Sequence, residues 1–328
     1  MIDSLPKRIS STLISLALVA VVSVTGFAET GHAAPSDFDH AKLARTARTQ
    51  FIVPAYQRFA TALQRLERNL AGLCDEPGTN ALANVRLRYR EAIAEWGRAE
   101  VIRFGPVVER NRFERIFYWP DRKGIGRRQV ARILRTEDQQ VLAASTLKNK
   151  SVAVQGLTAL ELLLHGPAAG TLAPAAPRGF RCRYALAIVV NLKAITAAVL
   201  DGWSAGGDFV KIWSQPGPGN RAYLSARETT LELVKVLDHG LQNIRDRRIA
   251  PILGYGANRK RKARPILWRS RLSMVLIHAN IRSIGDLFVS AGLSDAYIAS
   301  KPYDDERAAS TARCAAKWRP PTIMRASQ

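Results

Sequence analysis

Residues 38–73 read FDHAKLARTARTQFIVPAYQRFATALQRLERNLAGL. Within them Leu43, Ala47, Phe51, Tyr56, Phe59, Leu63, Leu66 and Leu70 recur every three to five residues, which gathers their side chains on one face of an α-helix. Pro54 interrupts the run and predicts a kink or a helix start there, because proline has no N–H to give to the helical ladder. The same period returns downstream. Pro77-Gly78 breaks the chain, Thr79 or Asn80 is a candidate cap, and Leu82, Val85, Leu87, Tyr89, Ile93 and Trp96 follow before Phe104-Gly105-Pro106 stops the second helix. Residues 107–125 are irregular and aromatic-rich. Further helices are predicted at 126–146, 150–165, 181–204, 222–246 and 267–291, with Gly- and Pro-rich breaks at 214–219 and 250–265. No stretch alternates apolar and polar residues with β-branched enrichment, so no sheet is expected. Gly166 to Gly179 has no period and is rich in Pro, Ala and Gly, the composition of a domain boundary. The expected fold is all-α: two helical-bundle domains in tandem, 36–166 and 180–320, joined by a linker at 167–179.

The length of 328 residues suits about two domains, and 47% hydrophobic against 23% charged residues excludes wholesale disorder. Lys and Arg exceed Asp and Glu by 49 to 27, a net +22. Alone, that excess points to nucleic acid, an anionic membrane surface or an acidic ligand. The N-terminus narrows the choice. Lys7 and Arg8 precede an apolar stretch from Leu13 to Val24, and small residues cluster at Gly26-Phe27-Ala28 and Gly31-His32-Ala33-Ala34. This is the layout of a signal peptide over 1–33, with cleavage after Ala28 or Ala33. A retained anchor helix is the rival, disfavoured by Ser10, Ser11, Thr12, Ser15, Ser23 and Thr25. No later segment is expected to cross a membrane. Export to the periplasm or cell envelope makes nucleic acid an unexpected partner. It also lets the three cysteines, Cys74, Cys182 and Cys314, pair. Their separations match no zinc pattern. Cys74 ends one predicted helix and Cys182 begins another, so the expected disulfide is Cys74–Cys182.

The segment 151–166, SVAVQGLTALELLLHG, embeds Thr158, Glu161 and His165 in apolar residues. Spacings of three and four place all three along one side of a helix. A carboxylate among Leu160, Leu162, Leu163 and Leu164 is costly to bury without a cation or a donor. Two readings stand beside each other: an ion pair with one of the many arginines, or a polar site inside a bundle that holds a ligand or metal. His165 precedes Gly166-Pro167 and is also a candidate helix C-terminus residue.

The order Trp96, Phe104-Gly105-Pro106, Phe117-Tyr118-Trp119-Pro120-Asp121, then Gly156-Leu-Thr-Ala-Leu-Glu161 resembles the imelysin family over about residues 38–292. These are exported bacterial proteins, provisionally classed as peptidases and linked to iron uptake. The resemblance implies two helical-bundle domains with a site near their interface, built on a Gly-x-His-x-x-Glu motif. Gly156 and Glu161 match that motif. Thr158 stands where the family has His, as in a divergent branch of it, and a hydroxyl is a poorer transition-metal ligand than imidazole. A metal held by Glu161 and His165, a divalent ion or iron, requires the helix to continue and to turn both the same way.

A metal-dependent peptidase is the alternative class, and the less favoured one, beside an anionic-surface interaction protein without a catalytic site. No His-Glu-x-x-His and no Gly-x-Ser-x-Gly occurs, and His40, His165, His239 and His278 form no close pair. Binding is the better class, with Gly156, Thr158, Glu161, Asp121, Trp96 and Trp119 as candidate ligand residues. Asp121 is also a candidate turn cap, and the two indoles are candidate packing residues or a wall for a planar ligand. Residues 103–135 carry Arg103, Arg110, Arg112, Arg115, Arg122, Lys123, Arg127, Arg128, Arg132 and Arg135. They form either a solvated face or a surface for anionic glycan, lipid headgroups or a carboxylate-bearing chelate such as haem or a siderophore-like ligand. The run Arg259-Lys260-Arg261-Lys262 is read as a solvent loop.

Overall fold

Proline dictates how the first helix is built. The computed structural model describes residues 38–255 and 264–295; the signal-peptide segment, Arg259–Lys262 and Cys314 lie outside them. Helix α1 (His40–Thr46) runs through a π-helical turn, Ala47–Ile52, into α2 (Val53–Asp75). The wider turn, in which the Val53 N–H reaches Arg48 O, takes up the ladder position that Pro54 leaves without a donor. The chain therefore continues as a helix through the predicted kink.

The other helices are α3 (Thr79–Ala99), α4 (Arg112–Ile116), α5 (Ile125–Thr136), α6 (Ala144–Leu147), α7 (Leu157–His165), α8 (Phe180–Gly202), α9 (Asp208–Ser214), α10 (Ala226–Asn243), α11 (Ala250–Leu253) and α12 (Ser273–Ser290). No strand occurs among the described residues. The all-α class expected from the sequence is the observed one.

Helix α2 is central because it is apolar on two sides. It packs on α3 and on α8, burying Tyr56, Phe59, Leu63, Leu66 and Leu70 completely. Helix α12 lies along α3, where Gly97 allows close approach: a Cβ there would stand 2.8 Å from the Ala279 Cβ. Residues from both sides of 167–179 share one hydrophobic cluster. Cys74, at the end of α2, is bonded to Cys182, in the first turn of α8. The expected disulfide is the observed one.

Several boundaries differ from expectation. The helix predicted over 126–146 stops at Thr136, where Glu137 takes a left-handed conformation (φ +45°) and Asp138 caps a separate short turn. The helix predicted over 267–291 starts only at Ser273, because Leu267 (φ +53°) and Arg271 (φ +58°) are left-handed. Helix α9 falls where no helix was expected. Helix α8 is long and apolar enough to cross a membrane by length and composition, contrary to expectation. In the fold it packs on α2, α4, α6 and α7.

Candidate functional site

Helix α7 is held in place at both ends. Gly156 precedes it in extended conformation, and a Cβ there would come within 2.5 Å of Ile116 O and 2.6 Å of Arg115 O. Only glycine allows α4 to press against this point. Arg115 Nε donates to Gln155 Oε1 (2.9 Å), and the Asn191 amide donates to the same oxygen (3.1 Å). The Tyr89 hydroxyl donates to Leu157 O (3.0 Å), and Arg86 Nε donates to Leu164 O (2.9 Å). These anchors bring Thr158 and Glu161 to a cleft of about 240 Å³, walled by Trp119, Asp121, Arg127, Arg264, Trp268 and Arg269.

Glu161 is 5% exposed. Its Oε1 accepts from the Ser270 backbone N–H (2.9 Å) and the Ser270 hydroxyl (2.8 Å). Burial pushes its carboxyl above the ordinary value; the Ser270 hydrogen bonds and the Arg269 charge oppose that shift. Burial in turn lowers the Arg269 guanidinium, with the Glu161 charge acting against it. Thr158 is half-buried in the same wall.

Asp121 caps a helix and also stands in the cleft wall. Its carboxylate accepts from Ile125 N (2.6 Å) and Gly126 N (2.9 Å), capping α5, and it lines the cleft. Trp119 stands beside it, after a chain turn in which the Trp119–Pro120 peptide is cis. The guanidinium carbons of Arg264 and Arg269 lie 4.7 and 4.4 Å from the Trp268 ring centroid, close enough for cation–π attraction.

Two sequence candidates are elsewhere. Trp96 is fully buried among Phe59, Phe113 and Phe117, so it packs the core. His165 lies 5.6 Å from the Tyr89 ring, centroid to centroid, and is absent from the cleft wall. Burial first, and then the Arg86 charge, lower its pKa to about 4.

The donors do not fit a resident transition metal. Glu161 Oε1 is engaged by Ser270, the Asp121 carboxylate is engaged by two backbone N–H groups, and no imidazole reaches the cleft. Among the described residues no three His, Cys, Asp or Glu side chains come together.

What the sequence reading missed is the segment 264–272, absorbed there into the last break and helix. It supplies Ser270, Arg264, Trp268 and Arg269. Its signal was legible in kind: arginines interleaved with an aromatic after a proline, Arg264-Pro265-Ile-Leu-Trp268-Arg269.

The family model described as Imelysin matches residues 52–318. The chain belongs to the imelysin family. No curated protein matches it significantly. Among solved structures it is similar to an imelysin-like protein from Psychrobacter arcticum 273-4, with 18% identity, TM-score 0.64, and 85% of this chain and 83% of that one covered. It is also similar to a protein from Parabacteroides distasonis ATCC 8503 provisionally named an iron-regulated protein A precursor. That match has 14% identity, TM-score 0.60, and coverage of 89% and 82%. At these identities the two likenesses establish the imelysin-type fold and nothing finer.

Proposed function

We propose that this imelysin-family chain is an exported envelope protein that binds a small anionic ligand in the cleft at Glu161, and that it is not a peptidase. One observation carries the reading: Arg127, Arg264 and Arg269 converge with two indoles on the helix that bears Thr158 and Glu161. Guanidinium forks match carboxylate and phosphate oxygens, and indole faces suit a flat organic body. The Thr158 hydroxyl is a donor for such a ligand, and Glu161, an acceptor, orients it through a hydroxyl of its organic body. An iron connection, in keeping with the name of one structural neighbour, enters through an anionic chelate whose organic part supplies the metal's donors.

Metal analysis of protein purified from the envelope, repeated on Glu161→Ala, is the direct test. It is paired with equilibrium dialysis against ferric citrate, citrate alone and ferrous sulfate. Retention of the chelate or of citrate, weakened in Glu161→Ala, is the expected result. Stoichiometric bare metal lost in Glu161→Ala would instead establish a metal centre and overturn the reading.

A further inference from the structure

Across Trp119 from the Glu161 cleft lies a second concavity of about 390 Å³, lined by Arg122, Arg247, Arg248 and Arg264 with Pro251 and Ile252. Its two carboxylates are already engaged. Asp121 caps α5 through the Ile125 and Gly126 N–H groups, and Asp246 accepts both hydrogen bonds of the Arg245 fork at 2.6 and 3.0 Å. Among the described residues, the side chains of Arg122, Arg247 and Arg264 make no hydrogen bond or ion pair. Three such guanidinium groups face one hollow against the single charge of Asp121, which neutral N–H groups hold, so the hollow keeps an excess of positive charge.

Beneath them sits Arg248, 2% exposed. Its Nη1 donates to Asn280 and its Nη2 to Glu100, while the Asn280 amide donates to Gly97 O (2.6 Å) and to Glu100 Oε2 (3.3 Å). That network ties the arginine to α3 and α12. It leaves Nε buried without a partner. An unmet buried donor costs about 1–3 kcal/mol, more when charged, and such groups call for an explanation. The guanidinium lies 5.7 Å from the Trp119 centroid, so the same indole borders both hollows. Arg247 and Arg248 come from a π-helical turn, Ile244–Ile249, that ends just before Pro251; turns of this kind recur at functional sites.

Several like charges facing one hollow repel, and an anion is what offsets them. We propose that this concavity is a second binding site, for an oxyanion bearing two or more ionised oxygens, of phosphoryl or polycarboxylate type. Arg122 and Arg247 grip it at the rim, Arg264 borders it while also lining the Glu161 cleft, and Arg248 forms the fixed floor. The site does not require a ligand in the Glu161 cleft.

The test is calorimetric titration of the full chain with inorganic pyrophosphate and, separately, with citrate, at constant ionic strength set by sodium chloride. The two probes distinguish phosphoryl from carboxylate chemistry. Arg122 and Arg247 are exposed, so R122Q/R247Q is a variant expected to fold, with circular dichroism as the check. Saturable binding is expected for at least one probe. It should weaken about tenfold or more in R122Q/R247Q, the worth of one lost charge-assisted hydrogen bond. It should be unchanged in R65Q/R68Q, which removes two exposed α2 charges far along the sequence, and pyrophosphate binding should also be unchanged in Glu161→Gln, whose cleft is the one proposed for citrate. Absence of saturation by either probe overturns the proposal. So does equal weakening in R65Q/R68Q, which would mark general charge attraction. Weakening of pyrophosphate binding in Glu161→Gln alone would place that anion in the first cleft, sinking the second site and sparing the reading of Glu161.

Discussion

At Glu161 the two hydrogen bonds from Ser270 and the burial act in opposite directions on one carboxyl, and burial prevails. A carboxyl whose folded pKa lies above its unfolded value contributes stability that is complete below the unfolded value of about 4.5 and is lost as pH rises through the folded one. Denaturant titrations at a series of pH values should show that fall, and Glu161→Gln should remove it. At neutral pH Glu161→Ala should cost about 1 kcal/mol, because the half-buried Ser270 N–H loses its acceptor while the Ser270 hydroxyl keeps Leu267 O (3.1 Å). His165 behaves oppositely. With its pKa lowered from 6.5 to about 4, the unfolded chain takes up the proton first, so stability should drop as pH falls from 6.5 towards 4. His165→Gln should flatten that arm of the same titrations. Of the cleft residues, Thr158, Glu161 and Asp121 were legible in the sequence, because a polar residue inside an apolar helical run, or after a proline, departs from its surroundings; Trp119 stood out as an aromatic in the Trp119-Pro120-Asp121 part of the family resemblance. Ser270 was not legible. A serine becomes a partner for Glu161 only through a fold that brings residues 109 positions apart together.

Among the elements, long helices with one strong apolar period could be read directly: α2, α3, α8 and α10 lie within a few residues of their predicted spans. Segments where local side-chain capping and left-handed residues decide the backbone could not. Thr136-Glu137-Asp138 ends α5 early, and residues 264–272 stay non-helical although their hydrophobicity suits a helix. Period measures burial, whereas caps and left-handed turns depend on single residues that carry no period. Helix α7 shows what the elements have to achieve, since it is short and depends on its neighbours. Gly156→Ala places a methyl against two carbonyl oxygens of α4 and must move α7 or α4. A loss of about 1–3 kcal/mol is expected, together with weaker ligand retention at Glu161. A variant as stable as the parent in denaturant would refute that role for the glycine.

For the whole molecule, α2 joins the parts of the chain on either side of 167–179, both by packing and by the Cys74–Cys182 bond. The cross-link spans 108 residues, and a loop that long stabilises by roughly 5 kcal/mol in the chain-entropy account. Cys74→Ser with Cys182→Ser should lower the midpoint of chemical denaturation by a matching amount, and reductant should have no effect on that variant. The +22 net charge was legible as a number but not as a location. Part of it proves to be internal: Arg115, Arg86 and Arg248 hold helices together through carbonyl, amide and carboxylate groups. Arg122, Arg127, Arg247, Arg264 and Arg269 gather around Trp119 and Trp268. Ligand affinity in either cleft should therefore decline with added salt, since screening shortens the reach of those exposed charges.

The cross-link also has an order in time. A chain that emerges N-terminus first presents Cys74, then Cys182, and only after another 132 residues Cys314. The observed pairing is thus the first one open to the growing chain. If the chain is delivered N-terminus first, Cys74 and Cys182 are both available before Cys314, an order that favours the observed partner over mispairing.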